Sequence, residues 1–181
     1  MTTSIKTICV LCFIVIAFMS CNQGETLQSY FVANQERPSF IAVDVPISFL
    51  DLDNIELTQI QKEAYESIDK LNMLGYKLDN DNGDEYKAEL EKVRRILRNE
   101  KYQELFRAGN NLDGKIVVKY IGEDTKIDEL IVFGNMNDKG FAIIRVLGDD
   151  IEPSKIMTLR EVVDQINIDE KGVETFVNFF K

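Results

Sequence analysis

The chain has no histidine and no tryptophan, and its three cysteines, Cys9, Cys12 and Cys21, all fall within the first 21 residues. Without histidine, the Ser-His-Asp and Cys-His nucleophilic arrangements cannot be assembled. Without a cysteine in the body of the chain, thiol catalysis is closed as well. A structural zinc site draws its ligands from Cys and His, so zinc is not expected. Neither the P-loop nor the dinucleotide type of glycine-rich phosphate motif occurs. Cationic charge is also short: 21 Lys and Arg stand against 31 Asp and Glu, a net −10. A phosphate backbone needs a cationic surface, so no nucleic-acid partner is expected, and electrostatic adhesion to anionic lipid is disfavoured. No cofactor is implied by any motif. What remains is carboxylate chemistry and hard cations.

The amino terminus is where apolar sequence concentrates. Met1 to Thr7 is polar with one charge, Lys6, and Ile8 to Met19 is unbroken apolar sequence. That run is too short to cross about 30 Å of hydrocarbon as a helix, and it suits the apolar region of a cleaved leader. Cys9 and Cys12 form a C-x-x-C pair, but inside this apolar run, so they leave with it and carry no redox expectation. The stretch Phe18-Met19-Ser20-Cys21 resembles a lipobox, the site at which lipoprotein leaders are cut. The small Ser20 and Cys21 fit the pattern, while Phe18 and Met19 stand where it has Leu and a small residue. The resemblance implies cleavage between Ser20 and Cys21 and lipid on the Cys21 thiol. Several acyl chains would anchor the protein far more firmly than one. Alternative readings are an ordinary secretory leader cut nearby, or an uncleaved anchor. Asn22 is unlike the Asp that retains lipoproteins in an inner membrane, so the expected location is the periplasmic face of an outer membrane.

Removing residues 1–20 leaves 161, of ordinary size for one domain and long enough to bury a core without disulfide staples. The organisation expected is a leader over 1–20, the lipidated Cys21 and a tether over 21–36, and one globular domain over 37–181. Leu27 to Ala33 reads as a short helical turn. Phe40 to Val45 is β-branched and stopped by Pro46, and reads as a strand. Thr58-Gln59-Ile60-Gln61 is a capping-box pattern, and Ile60, Ala64, Ile68 and Leu71 recur at helical spacing, which predicts a helix over Thr58 to Leu71. Met73 to Leu78 is a strand candidate, and Asp79 to Asp84 is a turn by composition. Asp84 is expected to cap a helix with Tyr86, Leu90, Val93 and Leu97 on its apolar face and Glu91 and Arg95 paired on its wet side. A short helix is expected from Glu100 to Ala108, ended by Gly109. Three strands follow, Lys115 to Ile121, Ile127 to Phe133 and Phe141 to Leu147, joined by hairpin loops at Gly122 to Lys126 and Gly134 to Gly140. Pro153 suits the first turn of a helix carrying Ile156, Leu159, Val163 and Ile166, and a last helix holds Val173, Phe176, Val177 and Phe180. The fold class is α+β: one mainly antiparallel sheet, built from a three-strand C-terminal meander and an N-terminal strand-helix-strand, with helices packed on it.

Three stretches, Phe40-Ile41-Ala42-Val43-Asp44-Val45-Pro46, Gln61-Lys62-Glu63-Ala64-Tyr65-Glu66 and Arg145-Val146-Leu147-Gly148-Asp149-Asp150, resemble the domain of unknown function 4252 family. The likeness runs from about Leu27 to the carboxyl terminus. It implies an envelope lipoprotein of Gram-negative bacteria, in agreement with Cys21. Some members are encoded beside sigma-factor genes, which hints at envelope stress or signalling. The family supplies no activity and no catalytic residues to carry over.

Two acidic groups remain as candidate sites. Counted from Leu78, a calcium-loop pattern finds Asn80, Asn82, Gly83 and Glu89 in place, but Leu78 occupies the position of the first ligand. The plainer reading is a polar turn before a helix. The second group follows from topology: a meander would bring Glu123, Asp124 and Asp128 to the same edge as Asp149, Asp150 and Glu152. Such carboxylates can hold a divalent cation or do acid–base work on a glycan. Turns favour Asp, and acids stabilise the start of the helix at Pro153, so the structural reading is the stronger one. The leading expectation is a non-catalytic, membrane-anchored module that binds another envelope protein or a ligand. The alternative is a carboxylate-based hydrolase acting on envelope glycans.

Overall fold

The computed structural model describes residues 24–49, 52, 55–110 and 114–159. Helix α1 (Leu27–Asn34) leads into strand β1 (Phe40–Pro46) and a 3-10 turn at Ile47–Phe49. Helix α2 (Gln59–Glu66) then precedes β2 (Ile68–Lys77), and α3 (Gly83–Leu97) precedes β3 (Gln103–Asn110), β4 (Gly114–Glu123), β5 (Lys126–Met136) and β6 (Gly140–Ile151). A four-residue helix α4 (Pro153–Ile156) and a 3-10 turn at Met157–Leu159 close the described chain. Val163, Ile166, Val173, Phe176, Val177 and Phe180, expected on helices, lie outside the described residues.

The six strands form one sheet in the order β1-β2-β6-β5-β4-β3, antiparallel throughout. The class is α+β as expected, but the meander has four strands. The segment expected as a short helix from Glu100 to Ala108 is strand β3, paired from Gln103↔Tyr120 to Asn110↔Gly114. Gly109 explains the misreading. Its φ of +99° suits the residue after a helix, but here it serves the approach of β3 to β4, where a Cβ would lie 2.2 Å from the Gly114 carbonyl oxygen. The backbone groups along the free edge of β4 offered this segment a ladder that outweighed its weak helical pattern.

The second correction is at α2, which ends at Glu66 rather than running to Leu71. Its capping box is present: Thr58 Oγ1 accepts from the Gln61 N–H, and the Gln61 side chain accepts from the Thr58 N–H. Beyond Ser67 the chain becomes β2, which sits between β1 and β6 and buries Asn72 through Tyr76 without interruption. A central strand covered on both faces shows no alternation, so Ile68 and Leu71 fit a helical period as well as a strand. At the start of α3, Asn82 rather than Asp84 occupies the N-cap position, and Asp84 and Glu85 lie in the first turn, where acids favour the helix dipole. Glu91 bonds Arg94 at 2.8 Å, not Arg95, which lies 3.8 Å from Glu25.

Helices α1 and α3 cover one face of the sheet. Leu27, Tyr30 and Phe31 of α1 and Tyr86, Leu90, Val93 and Leu97 of α3 pack on Phe40, Leu74, Tyr76, Phe133, Phe141 and Ile143. Residues 27–34 are therefore part of the domain, whose core begins ten residues before the boundary expected at residue 37. Thr26 and Ser29 bond reciprocally and cap the start of α1. A smaller cluster of Tyr120, Ile127, Leu130 and Ile151, with Val118, Val146 and Ile156 against it, lies at the end of the sheet where α2 and α4 meet. There Lys155 bridges to Glu63 at 2.9 Å.

Candidate functional site

The sheet extends past the edge of α3, and a groove of about 520 Å³ opens between the two. The alternation of β4 dictates its floor. Lys115, Val117 and Lys119 fall on the helix-covered face, and register sets Val117 beside Phe133 of β5 and Arg107 of β3. Val117, Phe133 and, above them, Leu97 of α3 are buried and make the apolar centre. Asn135 closes the floor beside Lys115, its side-chain oxygen accepting from the Tyr86 hydroxyl. Arg94 and Arg98, four residues apart and so on one face of α3, form the wall.

Five cationic side chains, Arg94, Arg98, Arg107, Lys115 and Lys119, line a groove whose one lining carboxylate is Glu104, and Arg94 is also bonded to Glu91 at 2.8 Å. In a chain of net −10 this is a local reversal of sign. Glu104 is committed to Arg107 by two bonds, at 2.6 and 3.0 Å, which hold its carboxyl below the usual range. The Lys119 ammonium donates to the Tyr102 carbonyl at 2.7 Å, and burial pushes its pKa down. Low-dielectric walls strengthen the field of such a cluster on an incoming anion.

On the far side of α3 lies a network that ties the helix to α1. Glu89 is buried and accepts from the Tyr30 hydroxyl at 2.9 Å, from Arg37 at 2.9 Å and from Lys92 at 2.9 Å. Arg37 also bonds Glu85 at 2.5 Å, which accepts from Tyr76 at 3.0 Å. Burial alone would raise the pKa of Glu89, but the bonds from Lys92, Arg37 and Tyr30 outweigh it and hold the carboxyl below its ordinary value. Burial and the adjacent Glu89 push the Tyr30 phenol far above its ordinary value, and burial with the Glu85 bond pushes Tyr76 up to about 12. A carboxyl whose pKa is depressed on folding adds stability above its unfolded value, and that stability is lost as pH falls through the folded value. The Glu89 contribution to the urea midpoint should therefore be fully present at neutral pH and be lost as pH falls through the acid range. Glu89→Gln should lower the midpoint at neutral pH and flatten the acid limb. An equally steep acid limb in the variant would remove Glu89 from this role.

The family model described as Domain of unknown function (DUF4252) matches residues 30–159. The chain belongs to the DUF4252 family. No curated protein matches it. The matched span covers α1 from Tyr30 to the end of the described chain, so the groove and the Glu89 network both lie within the DUF4252 domain.

The acidic groups read from the sequence take definite places in this domain. Ser20 and Cys21 lie outside the described residues. Topology does set the β4–β5 hairpin and the end of β6 at one edge, with Glu123↔Lys126 and Ile127↔Ile151 in register. Cations and a phenol are interleaved with the acids there. Asp150, at φ +53°, bonds Lys126 at 2.8 Å; Asp124 accepts from Tyr120 at 2.6 Å; Glu152 pairs with Lys155 at 2.8 Å. Glu123, Asp128 and Asp149 are exposed, and the Asp149 N–H donates to the Ser67 carbonyl. Among the described residues, no group of three Cys, Asp or Glu side chains is placed to hold a metal ion. The calcium-loop spacing is not used as a loop: Asn82 donates to the Lys77 carbonyl and accepts from the Asp79 N–H, and Glu89 faces α1. Among the described residues no helix is long and apolar enough to cross a membrane.

The sequence alone does not disclose the groove. Its residues come from α3, β3, β4 and β5, and its one legible trace was the i, i+2, i+4 pattern Lys115, Val117, Lys119 on a predicted strand.

Proposed function

We propose that the protein is a lipid-anchored envelope lipoprotein whose DUF4252 domain is a non-catalytic binding module for an anionic ligand. The observation that carries this reading is the convergence of five cations on one groove in an acidic chain. Arginine forks and ammonium groups bind carboxylate and phosphate groups through charge-assisted bonds, and a groove of this volume suits a small ligand. The absence of histidine and the pairing of Asp124, Asp150 and Glu152 with Tyr120, Lys126 and Lys155 favour binding over carboxylate hydrolysis. The anchor rests on Cys21 and the apolar leader before it, and the outer membrane is its proposed site.

Two measurements test the two halves. On cell fractionation the wild type should float with membranes, and Cys21→Ala should be released into the soluble fraction. Equal flotation of both forms would reject the lipid anchor. Inorganic phosphate, titrated to about 100 times its Kd, should stabilise the protein by about 2.7 kcal/mol, read as a rise in Tm. Lys115→Glu should abolish that rise while leaving the Tm without phosphate close to wild type. A phosphate response that survives the variant would remove the groove from the proposal.

A further inference from the structure

The cations of the groove are not gathered at one point, and their arrangement bears on the shape of the ligand. Lys115 and Lys119 share a face of β4 four residues apart, which sets their Cα atoms about 13 Å from each other. Between them lies Val117, with Phe133 at its side and Leu97 above, all three buried and apolar. The two ends differ in their partners. At the Lys115 end, register supplies Asn135, whose amide is oriented by the Tyr86 hydroxyl; burial pushes the pKa of that hydroxyl up, and the charge of nearby Arg94 works against the rise. At the Lys119 end, the ammonium donates one of its three hydrogen bonds to the Tyr102 carbonyl, and the ladder sets Glu104 beside it with Arg107 as its clamp.

A single compact anion engages one end and leaves the apolar centre and the far ammonium unused. A monocarboxylate with a tail covers the centre but leaves the ammonium at the far end unused. Only a ligand with a negative group at each end uses both lysines and the floor together. Resting on the reading of the groove as a binding site, we propose that it takes a linear organic dianion: two carboxylate- or phosphate-type groups joined by an apolar body that spans Val117 and Phe133.

The test is calorimetric titration of the wild-type lipoprotein in nonionic detergent with butanedioate, decanedioate, decanoate and inorganic phosphate. Decanedioate should bind at least about tenfold tighter than decanoate or butanedioate, the worth of a second charge-assisted contact correctly spaced. Lys115→Ala and Lys119→Gln should each bring decanedioate down to the affinity of decanoate, and raised salt should weaken the diacid more than the monoacid. Decanoate binding as tightly as decanedioate, with either affinity lost in Lys115→Glu, would overturn the dianion inference and leave the anion-binding groove standing. No binding by any of the four would remove both.

Discussion

Glu129→Ala should cost the domain about 3–5 kcal/mol, measured as the loss of unfolding free energy in urea. Glu129 of β5 and Arg145 of β6 form a two-pronged ion pair, 2.6 Å from Nε to Oε1 and 3.0 Å from Nη2 to Oε2, with side chains only 11% and 5% exposed. The ladder explains how they meet. Arg145 is registered with Ile131, so Glu129 is its diagonal neighbour on the same face, within reach of long side chains. The third arginine nitrogen, Nη1, donates to Gln28 of α1, and the guanidinium stands 5.1 Å from the centre of the Phe31 ring. Removing the carboxylate leaves a buried guanidinium with a neutral amide and an aromatic face as company. The cost is that of the orphaned charge rather than of the lost bond.

That distinction sets the controls. Glu129→Gln keeps an acceptor and should lose less than Glu129→Ala. Glu129→Leu combined with Arg145→Met removes both charges and should recover most of the loss. A double variant as unstable as Glu129→Ala would show that the pair contributes by its own attraction. A loss below about 1 kcal/mol in Glu129→Ala itself would mean that water reaches Arg145. The same variant should loosen α1, because Arg145 holds Gln28. Amide exchange in α1 should accelerate more than in α3, since α1 then depends on Tyr30–Glu89 and on the Leu27 N–H bonded to the Tyr102 hydroxyl at 2.9 Å.

Much of this sheet could be read in advance, for reasons that differ by strand. β1 and the strands of the C-terminal hairpins are short β-branched runs bounded by Pro46, Gly122 and Gly140, so composition and punctuation agree. β3 was missed because Gln103-Glu104-Leu105-Phe106-Arg107 has neither alternation nor β-branched residues; what makes it a strand is the free edge of β4, which lies elsewhere in the chain. α2 was overextended because the limit at Ser67 is tertiary: its carbonyl accepts the Asp149 N–H, 82 residues away. α1 was placed correctly but read as tether, since an eight-residue helix discloses its burial only when Tyr30 and Phe31 are seen against the sheet.

The candidate site was legible in the opposite sense to the fold. Net charge spoke of an acidic surface, and an acidic cluster was its natural candidate. A sum over the chain cannot show that five of 21 cations face one groove. The buried pair was equally silent. Glu129 and Arg145 are ordinary charged residues in strand sequences, and only the diagonal of the β5–β6 ladder shows that they share the covered face with Ile131 and Ile143.

Phe141→Ala should be the most damaging apolar truncation, at about 3–5 kcal/mol in the same urea measurement. Phe141 is buried at the start of β6 beneath α3, and four rings surround it. Tyr76 stacks on it at 5.5 Å between centroids and 14° between planes; Phe133, Tyr86 and Phe40 lie at 6.1, 6.2 and 6.4 Å. Three of these four neighbours are held in place. Tyr76 is held by its hydroxyl to Glu85, Tyr86 by its hydroxyl to Asn135, and Phe40 lies beneath the Arg37 guanidinium at 5.1 Å. A cavity that cannot collapse keeps its full cost. Phe141→Leu, which leaves a smaller void, should lose clearly less, and Val32→Ala at an exposed position of α1 should change stability by no more than about 0.5 kcal/mol. A loss under about 2 kcal/mol for Phe141→Ala would mean that the rings do shift. In that case the displaced Tyr86 should carry Asn135 with it, and phosphate binding in the groove should weaken in the same variant. Unchanged phosphate binding beside a large loss of stability is the outcome expected of a rigid aromatic cluster.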